Sequence, residues 1–134
     1  MTQLRMALER ALRDVGMRIG QELRLGSAGG IGVRLGEPPV DVAIEWIEAA
    51  ACVAVHAPFP IPKDLPWAAV APTLLKLHLA GAGSRGCAFW LLPDDSVRVG
   101  LTLVGPHLDD EALLEAISRV VTVAAYLPSP HPKR

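Results

Sequence analysis

The sequence predicts an α+β fold: a helix, three strands, a second helix, two strands and a closing helix (αβββαββα), with the helices packed on a twisted antiparallel sheet. Three observations carry this expectation. Apolar residues recur at helical spacing at both ends of the chain, at Leu4, Leu8, Leu12 and Val15 and again at Leu113, Ile117, Val120, Val121 and Ala124. Between these ends the period falls to two in several short runs, the clearest being Val40, Val42, Ile44 and Trp46 alternating with Asp41, Ala43 and Glu45. The links between the first three runs are short, which suits an antiparallel meander and leaves no room for crossovers.

Each element has local reasons. Thr2 can cap a first helix that runs to about Val15, with Gly16 as its C-cap. Glu22 to Leu25 reads as a short extended piece, and Gly26 to Gly30 as a turn. Ile31, Val33 and Leu35 alternate with Gly32, Arg34 and Gly36 as a half-buried strand, which Gly36-Glu37-Pro38-Pro39 ends. After the Val40 strand, Glu48-Ala49-Ala50 turns the chain. Ala51 to Ala57 then sets Val53 and Val55 on one face and Cys52, Ala54 and His56 on the other. Pro58, Pro60 and Pro62 hold the following link extended. Asp64 can cap the second helix, with Pro66 in its first turn. Pro72 is expected to kink or restart it, leaving Thr73 to Ala80 as the firm part. Cys87 to Leu92 and Val97 to Leu103 form a hairpin around Pro93-Asp94-Asp95-Ser96. Asp109 caps the last helix, Asp110 and Glu111 suit its positive end, and Leu108 can staple onto Leu113. The domain is expected to span residues 1–127, with 128–134 as a disordered polar tail.

Bulk properties exclude several function classes. The 134 residues suit one domain with a real core. The formal net charge of −1 makes no case for nucleic acid or an anionic membrane. No apolar run approaches the length of a membrane span, and Glu9 and Asp14 in the first helical pattern argue against a signal peptide. Cys52 and Cys87 sit in strand-like runs and read as reduced, buried thiols in a cytoplasm. Hydrophobic residues make up 51% of the chain, an excess that points to a self-association or partner surface.

The motifs that could carry chemistry fail on context. Gly81-Ala82-Gly83-Ser84-Arg85-Gly86 spells the dinucleotide fingerprint. That motif works only between a strand and a following helix, whose N-terminus meets the pyrophosphate. Here a helix precedes and a strand follows, so the segment reads as a connector. Gly26 to Gly32 lacks the Gly-Lys-Ser/Thr ending of a phosphate loop. His56, His78, His107 and His131 form no pair with another histidine or a cysteine at metal-ligand spacing. Cys52 and His56 share a strand face but lie roughly 13 Å apart, beyond nucleophile–base reach. Asp94-Asp95 suits a turn and Asp109-Asp110-Glu111 a helix start. The sequence therefore predicts no enzyme, no cofactor and no metal. What remains is apolar surface. Phe89 and Trp90 are neighbours in a strand, so their rings must lie on opposite faces, and one of them calls for a partner chain.

With these elements placed, the chain resembles the class I type III secretion chaperones, the Tir-chaperone (CesT-like) family, from Leu4 to Leu127. The resemblance is carried by Val40-Asp41-Val42-Ala43-Ile44-Glu45 with Cys52-Val53-Ala54-Val55-His56-Ala57-Pro58, and by Leu74-Leu75-Lys76-Leu77-His78-Leu79, Gly86-Cys87-Ala88-Phe89-Trp90-Leu91-Leu92-Pro93-Asp94 and Val97-Arg98-Val99. It implies a homodimer without catalysis, formed through the second helix and fourth strand. The matching positions are Leu74, Leu77, His78, Phe89 and Trp90. It implies that a segment near the N-terminus of a secreted effector wraps around this dimer in the bacterial cytoplasm and stays soluble and competent for export. The matching cargo surfaces are the first helix and first strands, with Ile31, Val33, Arg34 and Trp46 as the residues singled out. The near-neutral charge, the three tryptophans and the proline-rich link are this chain's own departures from the family pattern. A non-secretory protein-interaction or assembly module of similar α+β shape is the alternative reading.

Overall fold

The computed structural model describes residues 2–61, 64, 66–80, 86–94, 96–104 and 108–125, without the side chains at 2, 4, 73, 74 and 76–80. Its elements are α1 (Thr2–Ile19), β1 (Gly30–Leu35), β2 (Val40–Ile47), β3 (Cys52–Pro58), α2 (Trp67–Ala80), β4 (Ala88–Leu91), β5 (Val97–Leu103) and α3 (Asp110–Ala125), with a short 3-10 turn at Glu48–Ala50. The five strands form one sheet in the order β1-β2-β3-β5-β4, and every pair is antiparallel. The αβββαββα order read from the sequence is the observed one.

The register divides the sheet into two faces. Val33, Val42, Ile44, Val53, Val55 and Val99 point to one side and meet Leu8, Leu12 and Val15 of α1 and Leu113, Ile117 and Val120 of α3 in a single apolar cluster. Each fully buried Val, Leu or Ile there is worth about 1.5–3 kcal/mol relative to exposure. The opposite face carries Arg34, Asp41, Glu45, His56, Arg98 and Trp90, interspersed with glycine and alanine. Strand β3 lies between β2 and β5 and is buried on both faces from Cys52 to Ala57.

Three elements differ from expectation. Helix α1 does not stop at Gly16 but runs one turn further to Ile19, and Gly20 takes the left-handed cap at φ 74°. The Gln21 amide returns to the Gly16 carbonyl at 2.9 Å, the six-residue closure of a Schellman cap. Gly16 is needed for that approach, since a Cβ there would sit 2.4 Å from the Gln21 carbonyl oxygen. Glu22 to Leu25 is irregular rather than a strand, with Leu23 buried against the core.

Helix α2 starts at Trp67, beyond Asp64, and passes through Pro72 without a break. The proline removes only the bond to the Ala68 carbonyl in the first turn, and Pro72 is exposed, so water can serve that carbonyl. The last helix starts as expected. Asp109 Oδ1 accepts from the Ala112 amide at 2.8 Å, and Leu108 and Leu113 are both buried. Asp110 then pairs with Arg18 of α1 at 3.1 Å, tying the two helices together. The 128–134 tail lies outside the described residues, as do residues 81–85 of the fingerprint look-alike. The elements flanking that look-alike are helix α2 before and strand β4 after, the context that disqualifies it.

Candidate functional site: an apolar groove and a polar sheet face

Strand β4 is an edge strand of four residues, AFWL, with α2 lying along it. Period-two geometry sends Phe89 and Trp90 to opposite faces, as the sequence requires. Phe89 joins the core side, edge-on to Phe59 with ring centroids 5.1 Å apart. Trp90 lies on the polar face against His56, at 5.2 Å and 51°. Around the edge, Trp67, Ala71 and Leu75 of α2 and Phe89, Trp90, Leu91 and Val97 of the sheet line an open groove of about 380 Å³. Trp67 is 47% exposed and Leu75 and Leu91 are each 57% exposed. Large apolar side chains left in contact with water over one continuous patch mark an interaction surface. Of the five positions expected at a dimer interface, Phe89 and Trp90 line this groove. Leu74, Leu77 and His78 belong to the same helix, but their side chains lie outside the described residues.

The four positions expected to meet cargo separate by face. Arg34 is exposed on edge strand β1 and donates to Asp41 Oδ1 of β2 at 2.9 Å. The guanidinium hydrogen bond, and then its charge, hold the Asp41 carboxyl below its ordinary range. Ile31 is half-buried. Val33 and Trp46, at 4% and 8% exposed, turn into the core and do not reach the surface. The Trp46 Nε1 is buried with no hydrogen-bond partner among the described residues. Among the described residues no strand pairs with the outer edge of β1.

Two features escaped sequence reasoning. A groove of about 670 Å³ runs between the end of α1 and the returning segment, lined by Glu9, Arg13 and Met17 on one side and Glu22, Arg24 and Leu25 on the other. Its only sequence signal is the Gly16 and Gly20 pair that brings the segment back. The second is a cluster drawn from separate strands. His56 of β3 contacts Glu45 of β2 at 3.0 Å, Arg98 of β5 at 2.7 Å and the Trp90 ring of β4. No local spacing announces it.

Both thiols are buried, and burial pushes the Cys87 thiol up, outweighing the opposing pull of Arg119. Among the described residues no three His, Cys, Asp or Glu side chains gather as a metal site, and no helix is long and apolar enough to cross a membrane.

Solved structures share this architecture at low sequence identity. A chain of the HopA1–SchA chaperone–effector complex superposes with a TM-score of 0.75 at 12% identity, covering 93% of this chain and 95% of that one. A chain of the ExsC–ExsE complex gives 0.74 at 16% identity, over 92% and 95%. A chain from the complex of the Yersinia pestis type III secretion chaperone SycH with a stable fragment of YscM2 gives 0.68 at 16%, over 89% and 98%. No family model and no curated protein matches the chain. The chain has the fold of the type III secretion chaperones, over nearly its whole length.

Proposed function

We propose that this protein is a type III secretion chaperone of the Tir-chaperone kind. It acts as a homodimer in the bacterial cytoplasm and binds an extended N-terminal segment of a secreted effector, keeping it soluble and competent for export. The observation that carries this reading is the pairing of the fold with an uncovered apolar groove on α2 and β4. A helix–strand edge that leaves Trp67, Leu75 and Leu91 in water is suited to a second copy of itself. Phe89 and Trp90 supply the aromatic anchors, with Leu74, Leu77 and His78 completing the dimer surface from α2. The cargo surface is α1 with strands β1 and β2. The open β1 edge offers backbone pairing to an extended segment, Arg34 and Ile31 offer side-chain contact, and Val33 and Trp46 support the sheet from the core side.

Deleting the gene tests the role. The reading predicts that one secreted protein falls in both the cytoplasm and the culture medium, and that a plasmid copy restores it. An unchanged set of secreted proteins would favour the alternative of a non-secretory assembly module.

A further inference from the structure

The polar cluster on the outer sheet face admits one pattern of protons. His56 is 9% exposed, and both ring nitrogens are engaged. Arg98 Nε donates to His56 Nδ1 at 2.7 Å, and His56 Nε2 lies 3.0 Å from Glu45 Oε1. An arginine Nε keeps its proton at any accessible pH, so Nδ1 can only accept. The ring proton therefore sits on Nε2 and is donated to the Glu45 carboxylate. Gly100 makes room for this ring, because a Cβ there would come within 2.6 Å of the His56 Cβ.

A second proton would have to sit on Nδ1, facing the Arg98 N–H at 2.7 Å. Two donors cannot share that line, and two cations would meet there. Glu45 can hold an imidazolium where it stands, so the arginine is the partner that must leave. Arg98 is the cross-strand neighbour of Trp90, and Trp90 packs on the His56 ring while forming one wall of the β4-edge groove. The other charges on this face, Arg34 and Asp41, are paired with each other. Helix α2, packed on β4, brings Lys76 and His78, whose side chains lie outside the described residues.

We infer that His56 is a proton-operated latch on the β4-edge groove. With the ring neutral, Arg98 is clamped and Trp90 is backed in the shape that a second copy of this chain fits. With the ring protonated, Arg98 swings out, Trp90 loses its cross-strand neighbour and self-association weakens. The inference rests on the proposed reading of the groove as the dimer interface. The sign follows from the proton count. The Arg98 hydrogen bond to Nδ1 is compatible with the neutral ring alone, so the neutral ring favours association and a proton on Nδ1 weakens it.

Two readouts on the full chain test it. Nuclear magnetic resonance of the His56 ring nitrogens and the Trp90 indole, from about pH 8 to about pH 5, does not depend on dimerisation. The latch predicts the Nε2–H tautomer at the upper end and a Trp90 resonance that moves in step with the His56 titration. A proton on Nδ1 at the upper end, or a Trp90 signal indifferent to His56, overturns it. Sedimentation equilibrium over the same range reads association. The expected loss is about tenfold, the scale of one charge-assisted hydrogen bond. His56→Asn keeps an acceptor for Arg98 without a titrating ring, and should flatten the profile. Arg98→Ala, which removes the clamp, should be weak and flat throughout and serves if the asparagine variant does not fold. Equal pH profiles in wild type and these variants overturn the latch. A chain that is monomeric at every pH overturns the dimer reading instead, and the resonance experiment then decides whether His56 still governs Trp90.

Discussion

Replacing Gly100 with alanine tests the sheet packing at its tightest point. A Cβ at this position in β5 would lie 2.6 Å from the His56 Cβ, 2.6 Å from the Val55 carbonyl oxygen and 3.0 Å from the His56 Cα. Two of these three atoms are backbone of β3, the strand buried on both faces, so no flexible side chain can yield. Strands β3 and β5 must part locally, at a cost of about 2–4 kcal/mol, the upper range for overpacking. For a domain of this size that is a fall in melting temperature of roughly 6–15 °C. Gly32→Ala is the internal control. It shares the sheet face, but its Cβ would meet only the Val42 carbonyl oxygen at 4.0 Å, an ordinary contact. Removing a glycine's backbone freedom there should leave stability unchanged or raise it by up to about 1 kcal/mol. Urea titration of both variants, with the denaturant slope checked for constancy, gives the comparison. Equal effects at the two positions would refute the β3–β5 packing described above.

Further outcomes follow from the same packing. Leu113→Ala, at a fully buried position where α3 meets the sheet, should cost about 2–5 kcal/mol in the same titration. Leu75→Glu, in the exposed groove, should shift the chain towards monomer in sedimentation while changing monomer stability by no more than about 0.5 kcal/mol. Asp41 has its carboxyl lowered by Arg34, so this pair's contribution is present above the ordinary carboxylate range and is lost as pH falls through the lowered value. Both groups are solvent-exposed, so the acid limb of an Asp41→Asn melting profile should differ only slightly from wild type, and high salt should erase the difference.

How far the residues themselves announced this structure varies by element. Helices α1 and α3 and strand β2 were readable because their apolar periods are long, and α3 also starts on a clear cap, Asp109. The end of α1 was not, because Gly16 and Gly20 both look like caps. Only the local return of Gln21 onto the Gly16 carbonyl decides between them. Pro72 misled for a related reason: its cost depends on whether the freed carbonyl reaches water, which the letter alone does not state. The hairpin reading placed β4 beside β5, but alternation did not reveal its other neighbour, β3, since a period of two says nothing about which strand lies alongside. The same limit hid the His56 cluster, whose members Glu45, His56, Trp90 and Arg98 come from four strands. Residues Phe89 and Trp90 could be assigned to opposite faces because adjacency in a strand forces it. Val33 and Trp46 were singled out for cargo by resemblance, yet their alternation already grouped them with the core-facing valines.

The central claim is that this fold holds an effector segment. The most direct measurement is capture of the tagged protein from its native bacterium under secretion-inducing conditions, with mass spectrometry and limited proteolysis of whatever is retained. The account predicts one stoichiometric secreted partner, held through an N-terminal segment that becomes protease-resistant only in the complex. A chain that retains no specific partner, or one gripped through a folded domain with its N-terminus still cleavable, would contradict it.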